Sequence, residues 1–205
     1  MPNRFRVISP VDGSVFMERF EATPGQIART VDSARCAQES WRQTSIQDRI
    51  SIIDKAMEHL GNRREEIAES ITMSIGRPIA FSAGEVDGML SRARFMSSIA
   101  EEALADLRPA PVAGFTRFIR REPLGLVLVL SPWNYPYLTA VNAVVPALLS
   151  GNSVILKHSD QTPLAAEHFS EAFRAAGMPD GVFQFLHMNH AATAEVLDDD
   201  CIDHV

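Results

Sequence analysis

Between Pro123 and Leu156 the sequence carries no formally charged side chain. A stretch of this length must be hidden, in a membrane or in a protein core. A membrane span needs about 18 or more unbroken apolar residues. Here Pro132, Asn134, Pro136, Pro146, Gly151 and Asn152 divide the stretch into pieces of strand or short-helix length. The reading is therefore a buried core, with no membrane association. Residues 126–130 and 153–157 are expected as strands, with a helix over 137–149 between them. Strands apolar on both faces and joined by a helix form a parallel sheet covered on both sides, so the fold class is α/β.

The alternation continues toward the C-terminus. Residues 163–176 read as a helix closed by Gly177, 182–186 as a strand, 191–197 as a short helix and 202–205 as the start of another strand. Before the break at Pro109, Ala110, Pro111 and Gly114 the pattern differs. A hairpin is expected from 5–8 and 15–20 around the turn residues 9–13. Thr23-Pro24-Gly25-Gln26 is a capping box with proline at the first helical position, opening a helix to about Trp41. Ser45 and Asp48 repeat the start signal, and Gly61 is expected to end that helix. A third helix runs from about Asn62 to Gly76 and a fourth from about Ile79 to Leu107. Residues 115–121 alternate weakly and are expected as an edge strand. The division is a hairpin and helical part over 1–114 and a parallel-sheet part over 115–205.

Composition narrows the function. The net charge is −7, and basic residues cluster no further than Arg63-Arg64 and Arg120-Arg121, which argues against nucleic acid. Cys36 and Cys201 form no C-x-x-C, which points away from zinc and disulfides and toward a reducing compartment, the cytoplasm. Met1-Pro2-Asn3-Arg4-Phe5-Arg6 has no apolar core of a leader peptide. His187 and His190 lack a surrounding set of ligands, so no metal is expected. Asp198-Asp199-Asp200 reads as a solvated helix end, and it disfavours a thiolate at the adjacent Cys201. Neither G-x-G-x-x-G, nor a Walker loop, nor G-x-S-x-G is present.

In open parallel sheets ligands sit beyond the carboxyl ends of strands. Two strand ends carry unusual residues. In Leu130-Ser131-Pro132-Trp133-Asn134-Tyr135-Pro136 the prolines fix the backbone and hold Asn134 on a rigid turn, where its amide is suited to stabilise negative charge. The competing reading is a plain turn with an aromatic plug. At Lys157-His158-Ser159-Asp160 a lysine leaves a buried strand and must bring its ammonium to solvent, a carboxylate or a ligand. Lys157 and Asp160 are candidates for sharing a ribose; the competing reading is a snorkelling lysine paired with Asp160, with Asp160 or Thr162 capping a helix at Pro163.

These residues, taken in order, are similar to the aldehyde dehydrogenase superfamily. The likeness runs through Ile75-Gly76-Arg77-Pro78-Ile79, Gly84-Glu85-Val86, Glu122-Pro123-Leu124-Gly125 and Ser131-Pro132-Trp133-Asn134-Tyr135-Pro136. It continues through the block from Pro146 to Lys157, Gln161-Thr162-Pro163, and the block from Ala176 to Phe183. The resemblance implies a helical segment plus an incomplete Rossmann-like parallel sheet, the N-terminal fragment of an NAD- or NADP-dependent enzyme that oxidises an aldehyde to an acid. Within it Asn134 would be the oxyanion donor, Lys157 and Asp160 would hold the adenosine ribose, and Leu130, Ser131, Pro132 and Trp133 would line the cofactor cleft. A homo-oligomer is implied for the full-length enzyme.

The sequence departs from the family pattern at His158, where proline or a small residue is commoner, and at Asp160, where glutamate is frequent. His187-Met188-Asn189-His190 stands where glycines usually lie near the cofactor. The Phe-Thr-Gly-Ser-like segment, the catalytic glutamate and the catalytic cysteine have no counterpart. The expectation is a fragment or truncated product that is inactive alone. The alternative is a non-catalytic protein that pairs with a full-length relative or binds nucleotide, and a third reading is a semialdehyde or acyl-phosphate reductase on the same fold.

Overall fold

The computed structural model describes residues 3–198 and 200–205. Met1 and Pro2 of the leader reading, and Asp199 of the acidic helix end, lie outside the described residues. The chain opens with an antiparallel hairpin of β1 (Arg4–Ile8) and β2 (Val15–Phe20). Four helices follow: α1 (Pro24–Trp41), α2 (Ile46–Asn62), α3 (Arg64–Ile75) and α4 (Ile79–Leu104). Then strands and helices alternate as β3 (Leu126–Ser131), α5 (Pro136–Leu149), β4 (Ser153–His158), α6 (Pro163–Ala175), β5 (Phe183–Phe185) and α7 (His190–Leu197).

The helix starts follow from local chemistry. At α1 the Thr23 hydroxyl accepts from Gln26 N at 3.3 Å while the Gln26 side chain accepts from Thr23 N at 2.9 Å. At α2 Ser45 accepts from Asp48 N at 3.1 Å. Gly76 ends α3 in the left-handed conformation, φ 73°. Gly61 does not end α2, contrary to expectation: it lies inside the helix, which runs on to Asn62. A β-carbon at Gly61 would come within 3.3 Å of the Leu90 side chain, so its small size serves the packing of α2 on α4.

The three-stranded sheet is parallel in the order β3-β4-β5. Its alternate residues supply two cores. Val127, Val129, Val154 and Leu156 join the larger one, with α2 through α6 and the end of α1 at Trp41. Leu126, Leu128 and Ile155 face the other way, against Val31 and Ala34 of α1 and Val196 of α7. This double burial is why the strands read as continuous apolar runs. The indole of Trp41 is buried and donates to Leu148 O at 3.0 Å, tying α1 to the end of α5. Among the described residues no helix is long and apolar enough to cross a membrane.

Of the two remaining expected strands, 115–121 is not built, while 202–205 begins a parallel pairing with β3. The segment 115–121 contains only isolated bridges, Leu107 with Ile119 and Val112 with Phe115. It has no longer partner strand to extend the ladder, and Phe115 is 73% exposed. The segment 202–205 adds one parallel bridge, His204 beside Val127. Asp203 fixes it: its carboxylate accepts from Leu126 N at 2.7 Å and lies so close to Gly125 that a β-carbon there would be 2.2 Å from Oδ2. Gly125, at φ 133°, is thus required twice over, by conformation and by space.

Candidate functional site

Parallel register places the two sequence-selected strand ends side by side. Leu130 pairs with Lys157 and Ser131 with His158. Beyond them the chain leaves the sheet in two turns, 132–135 before α5 and 159–162 before α6. Ser159 N donates to Ser131 O at 3.0 Å, so the turns are also joined at their roots. Pro136 occupies the first position of α5, where its missing donor costs nothing and its fixed φ suits the helix. Pro163 does the same for α6.

The first turn is open to solvent. Trp133 is 52% exposed and Leu130 43%, and Pro132 and Asn134 are exposed as well. Trp133 therefore does not plug the core, and that reading of the turn is set aside. Ser131 is buried, and its hydroxyl has no hydrogen-bond partner among the described residues. Lys157 is buried except for 8% of its surface, and its ammonium lies 3.2 Å from Asp160 Oδ1. Half of the snorkelling reading thus holds. The capping half does not: the Thr162 hydroxyl makes no cap bond to α6 and goes to His158 Nδ1 at 3.0 Å instead.

His158 is the residue whose role the sequence showed least. Its ring is 1% exposed, and its Nε2 lies 3.0 Å from Pro136 O. A carbonyl only accepts, so Nε2 carries the proton and Nδ1 accepts from Thr162. Burial pushes the imidazole down to about 4, so it is neutral at pH 7. This neutral ring ties the end of β4 to the start of α5 on one side and to the start of α6 on the other. The only signal for it was the departure from a proline or small residue at this position.

Arg77 and Glu85 also reach the site, from α4 and the loop before it. The Glu85 side chain is wholly buried and pairs with Arg77. Burial pushes its carboxyl above the usual range, opposed by the amide of Tyr137 and by Arg77. Glu85 Oε1 accepts from Tyr137 N at 2.9 Å, and Arg77 donates to Asn134 O at 2.7 Å. The sequence signal was an acidic residue beside Val86 on the apolar face of a helix, and spacing alone assigned it no partner.

The next strand end has a different character. His187 follows β5 and its Nε2 lies 3.0 Å from Glu167 Oε1, while Arg19 of β2 holds the same carboxylate at 2.7 Å and 2.9 Å. Burial alone would raise the Glu167 carboxyl; bonds from His187 and Arg19 reverse that and hold it at about 2. These contacts dock the hairpin on α6. Among the described residues no group of three or more side chains is placed to hold a metal ion. A cleft of about 590 Å³ lies near this strand end, between the end of β2, α1 and β5, and is not lined by the Asn134 or Lys157 residues.

The site thus offers an exposed amide on a fixed turn, an orphaned buried hydroxyl and a lysine–aspartate pair, all at the carboxyl edge of a parallel sheet. Comparison with known proteins bears on what uses such a site. The profile described as "Aldehyde dehydrogenase family" matches residues 1–205. The chain is 32% identical over 182 residues to N-succinylglutamate 5-semialdehyde dehydrogenase of Pseudomonas fluorescens, covering 89% of this chain and 37% of that one. It is 34% identical to D-glyceraldehyde dehydrogenase (NADP(+)) of Thermoplasma acidophilum, covering 87% and 36%. The structure resembles betaine aldehyde dehydrogenase from Staphylococcus aureus in complex with NAD+, with TM-score 0.90 and 25% identity over 98% of this chain and 41% of that one. The 205 residues therefore span well under half the length of these relatives. Matched along its whole length, the chain belongs to the aldehyde dehydrogenase family.

Proposed function

We propose that this chain forms the cofactor face of an enzyme that oxidises an aldehyde to a carboxylic acid with NAD or NADP. The observation that carries the reading is the register of β3 on β4, which sets the Asn134 turn beside Lys157 and Asp160. Sheets of this kind bind ligands at that edge. The relatives named above are all dehydrogenases, one with NADP(+) in its name and one bound to NAD+, which favours a catalytic reading over a non-catalytic nucleotide binder.

The residues present fit a dinucleotide. Asp160 would accept from a ribose hydroxyl and Lys157, 3.2 Å from it, would donate to the same sugar. The Ser131 hydroxyl, buried and unpaired at the same strand end, is a polar group still in need of a partner. Leu130, Pro132 and Trp133 present apolar surface to a flat ring. The cofactor supplies the hydride acceptor. The Asn134 amide donates to the aldehyde oxygen as negative charge develops on it.

Neither cysteine of the 205 residues sits on the Asn134 turn: Cys36 lies exposed on α1, and Cys201 packs against the smaller core. We expect cofactor binding, and no aldehyde-dependent NAD(P)H formation, from the 205 residues alone.

The parts 1–114 and 115–205 read as two sections of one cofactor domain, supported by the core that both share. Assembly into a homo-oligomer in the full-length enzyme is supported by exposed Phe115, Phe118 and Ile119. A cytoplasmic location is supported by the exposed thiol of Cys36. The test is a titration with NAD+ and with NADP+, followed by the fluorescence of exposed Trp133. Saturable quenching that Lys157→Met weakens supports the reading and ranks the two cofactors. A flat titration at millimolar concentrations of both rejects it.

A further inference from the structure

The Asn134 turn has few supports of its own. Tyr135, the residue before α5, makes no side-chain cap bond, so the first amides of that helix need acceptors from elsewhere. Glu85 provides them across the interface with α4, accepting from Tyr137 N at 2.9 Å and from Leu138 N at 3.5 Å. Its negative charge also suits the positive end of the α5 dipole. Arg77, paired with Glu85, grips the turn itself. It donates to Asn134 O at 2.7 Å, and its guanidinium lies over the Tyr135 ring at 4.2 Å. The pair thus contacts four of the five residues from Asn134 to Leu138, and the fifth, Pro136, is held by His158 through its carbonyl.

We propose that Arg77 and Glu85 are positioning residues: a partly buried ionic clamp that fixes the 132–135 turn and so the direction in which Asn134 presents its amide. The inference rests on the reading of that turn as the oxyanion and cofactor site. A planar guanidinium is required for it, because one group must bond the Glu85 carboxylate, donate to a carbonyl and stack on a ring; an ammonium cannot do all three. Gly76 and Pro78 flank Arg77 and set its backbone. Gly76 is left-handed and Pro78 leads into α4. That accounts for the Ile75-Gly76-Arg77-Pro78-Ile79 block, to which the sequence attached no role.

The experiment uses the two tryptophans of the 205-residue chain as separate reporters. Trp41 donates its indole N–H to Leu148 O in the core, and Trp133 sits on the turn. In a ¹H–¹⁵N spectrum without cofactor, Arg77→Met is expected to shift or broaden the Trp133 indole signal and leave that of Trp41 in place. Arg77→Lys is expected to restore part of the change. NAD+ titration is expected to show about tenfold weaker binding for Arg77→Met. Both Trp133 signal and affinity unchanged in a folded Arg77→Met would overturn the clamp. If Arg77→Met loses the Trp41 signal as well, Arg77→Lys and Glu85→Gln decide by the same signals: Trp133 moved alone supports the clamp, and neither moved, or both, overturns it. A wild-type chain that binds no cofactor rejects the proposed function, while the indole signals still decide the clamp.

Discussion

Residues 126–158 and 105–122 both carry large apolar side chains, yet the chain treats them in opposite ways. In the first, four of the six residues of β3, and Val154, Ile155 and Leu156 of β4, are apolar and buried between two layers of helices. In the second, Leu107, Val112, Phe115, Phe118 and Ile119 are exposed, and backbone pairing stops at isolated bridges. Charge already separates them in part: 105–122 carries Asp106, Arg108, Arg117, Arg120, Arg121 and Glu122, whereas 126–156 carries no charged residue. β3 and β4 find each other in parallel register because helices on both faces cover the apolar side chains of both strands up to Leu130. The 105–122 segment has no such layers, so alternation there does not produce a strand.

The contrast gives a graded set of expectations. The largest effect belongs to the core that holds the site edge in place. Phe169→Ala, at a side chain with no exposed surface, should destabilise the chain by about 4 kcal/mol in urea unfolding. A loss under 1 kcal/mol would mean that the sheet edge does not depend on α6. Next comes acid. His158 has its folded value lowered to about 4, so the unfolded chain binds the extra proton first as pH falls. Its contribution is complete above the ordinary histidine value of about 6.5 and is lost as pH drops toward 4, up to ~3 kcal/mol. Glu167, held at about 2, gives a second window: its contribution is present above about 4.5 and is lost as pH falls toward 2. A His158→Ala chain should therefore flatten the upper slope of a stability-versus-pH curve, leaving the share of buried His168, whose value burial also lowers, and keep the lower slope. An unchanged upper slope would dissociate the two turns from this ring.

Smaller still is the effect on binding. Lys157→Met should weaken NAD+ binding about tenfold, close to 1.4 kcal/mol, with little change in unfolding. Equal affinity in calorimetry would return Lys157 to a purely structural pairing with Asp160. The smallest effect belongs to the exposed segment: Phe118→Ser should shift the stability of the chain by no more than about 0.5 kcal/mol. A larger loss would show that the segment is held far more tightly than its exposure indicates.

Much of the fold was legible because its signals are local. Thr23 and Ser45 announce helix starts by side-chain chemistry within three residues, and Gly76 and Gly177 allow the left-handed turns that close helices. The apolar runs of β3 and β4 announce a sheet buried on both faces. Gly61 misled because a glycine serves equally as a stop or as room for a neighbour, and only the approach of Leu90 tells which. The segment 115–121 misled because alternation marks a half-buried strand only where a second strand and a covering layer exist.

For the site, the sequence determined which residues have the required chemistry: the two prolines around Trp133 and Asn134, and the lysine and aspartate three residues apart. Their types and spacing are enough to place each group at a strand end, because a buried strand must release its polar residues where it leaves the core. The tertiary structure alone decided that the two strand ends are adjacent, since register between strands is set by long-range packing. It also decided that Arg77, Glu85 and His158 hold them there. Those three come from α4, the loop before it and the end of β4, and a hydrogen bond between residues 52 positions apart, such as that of Glu85 with Tyr137, leaves no local trace in the chain.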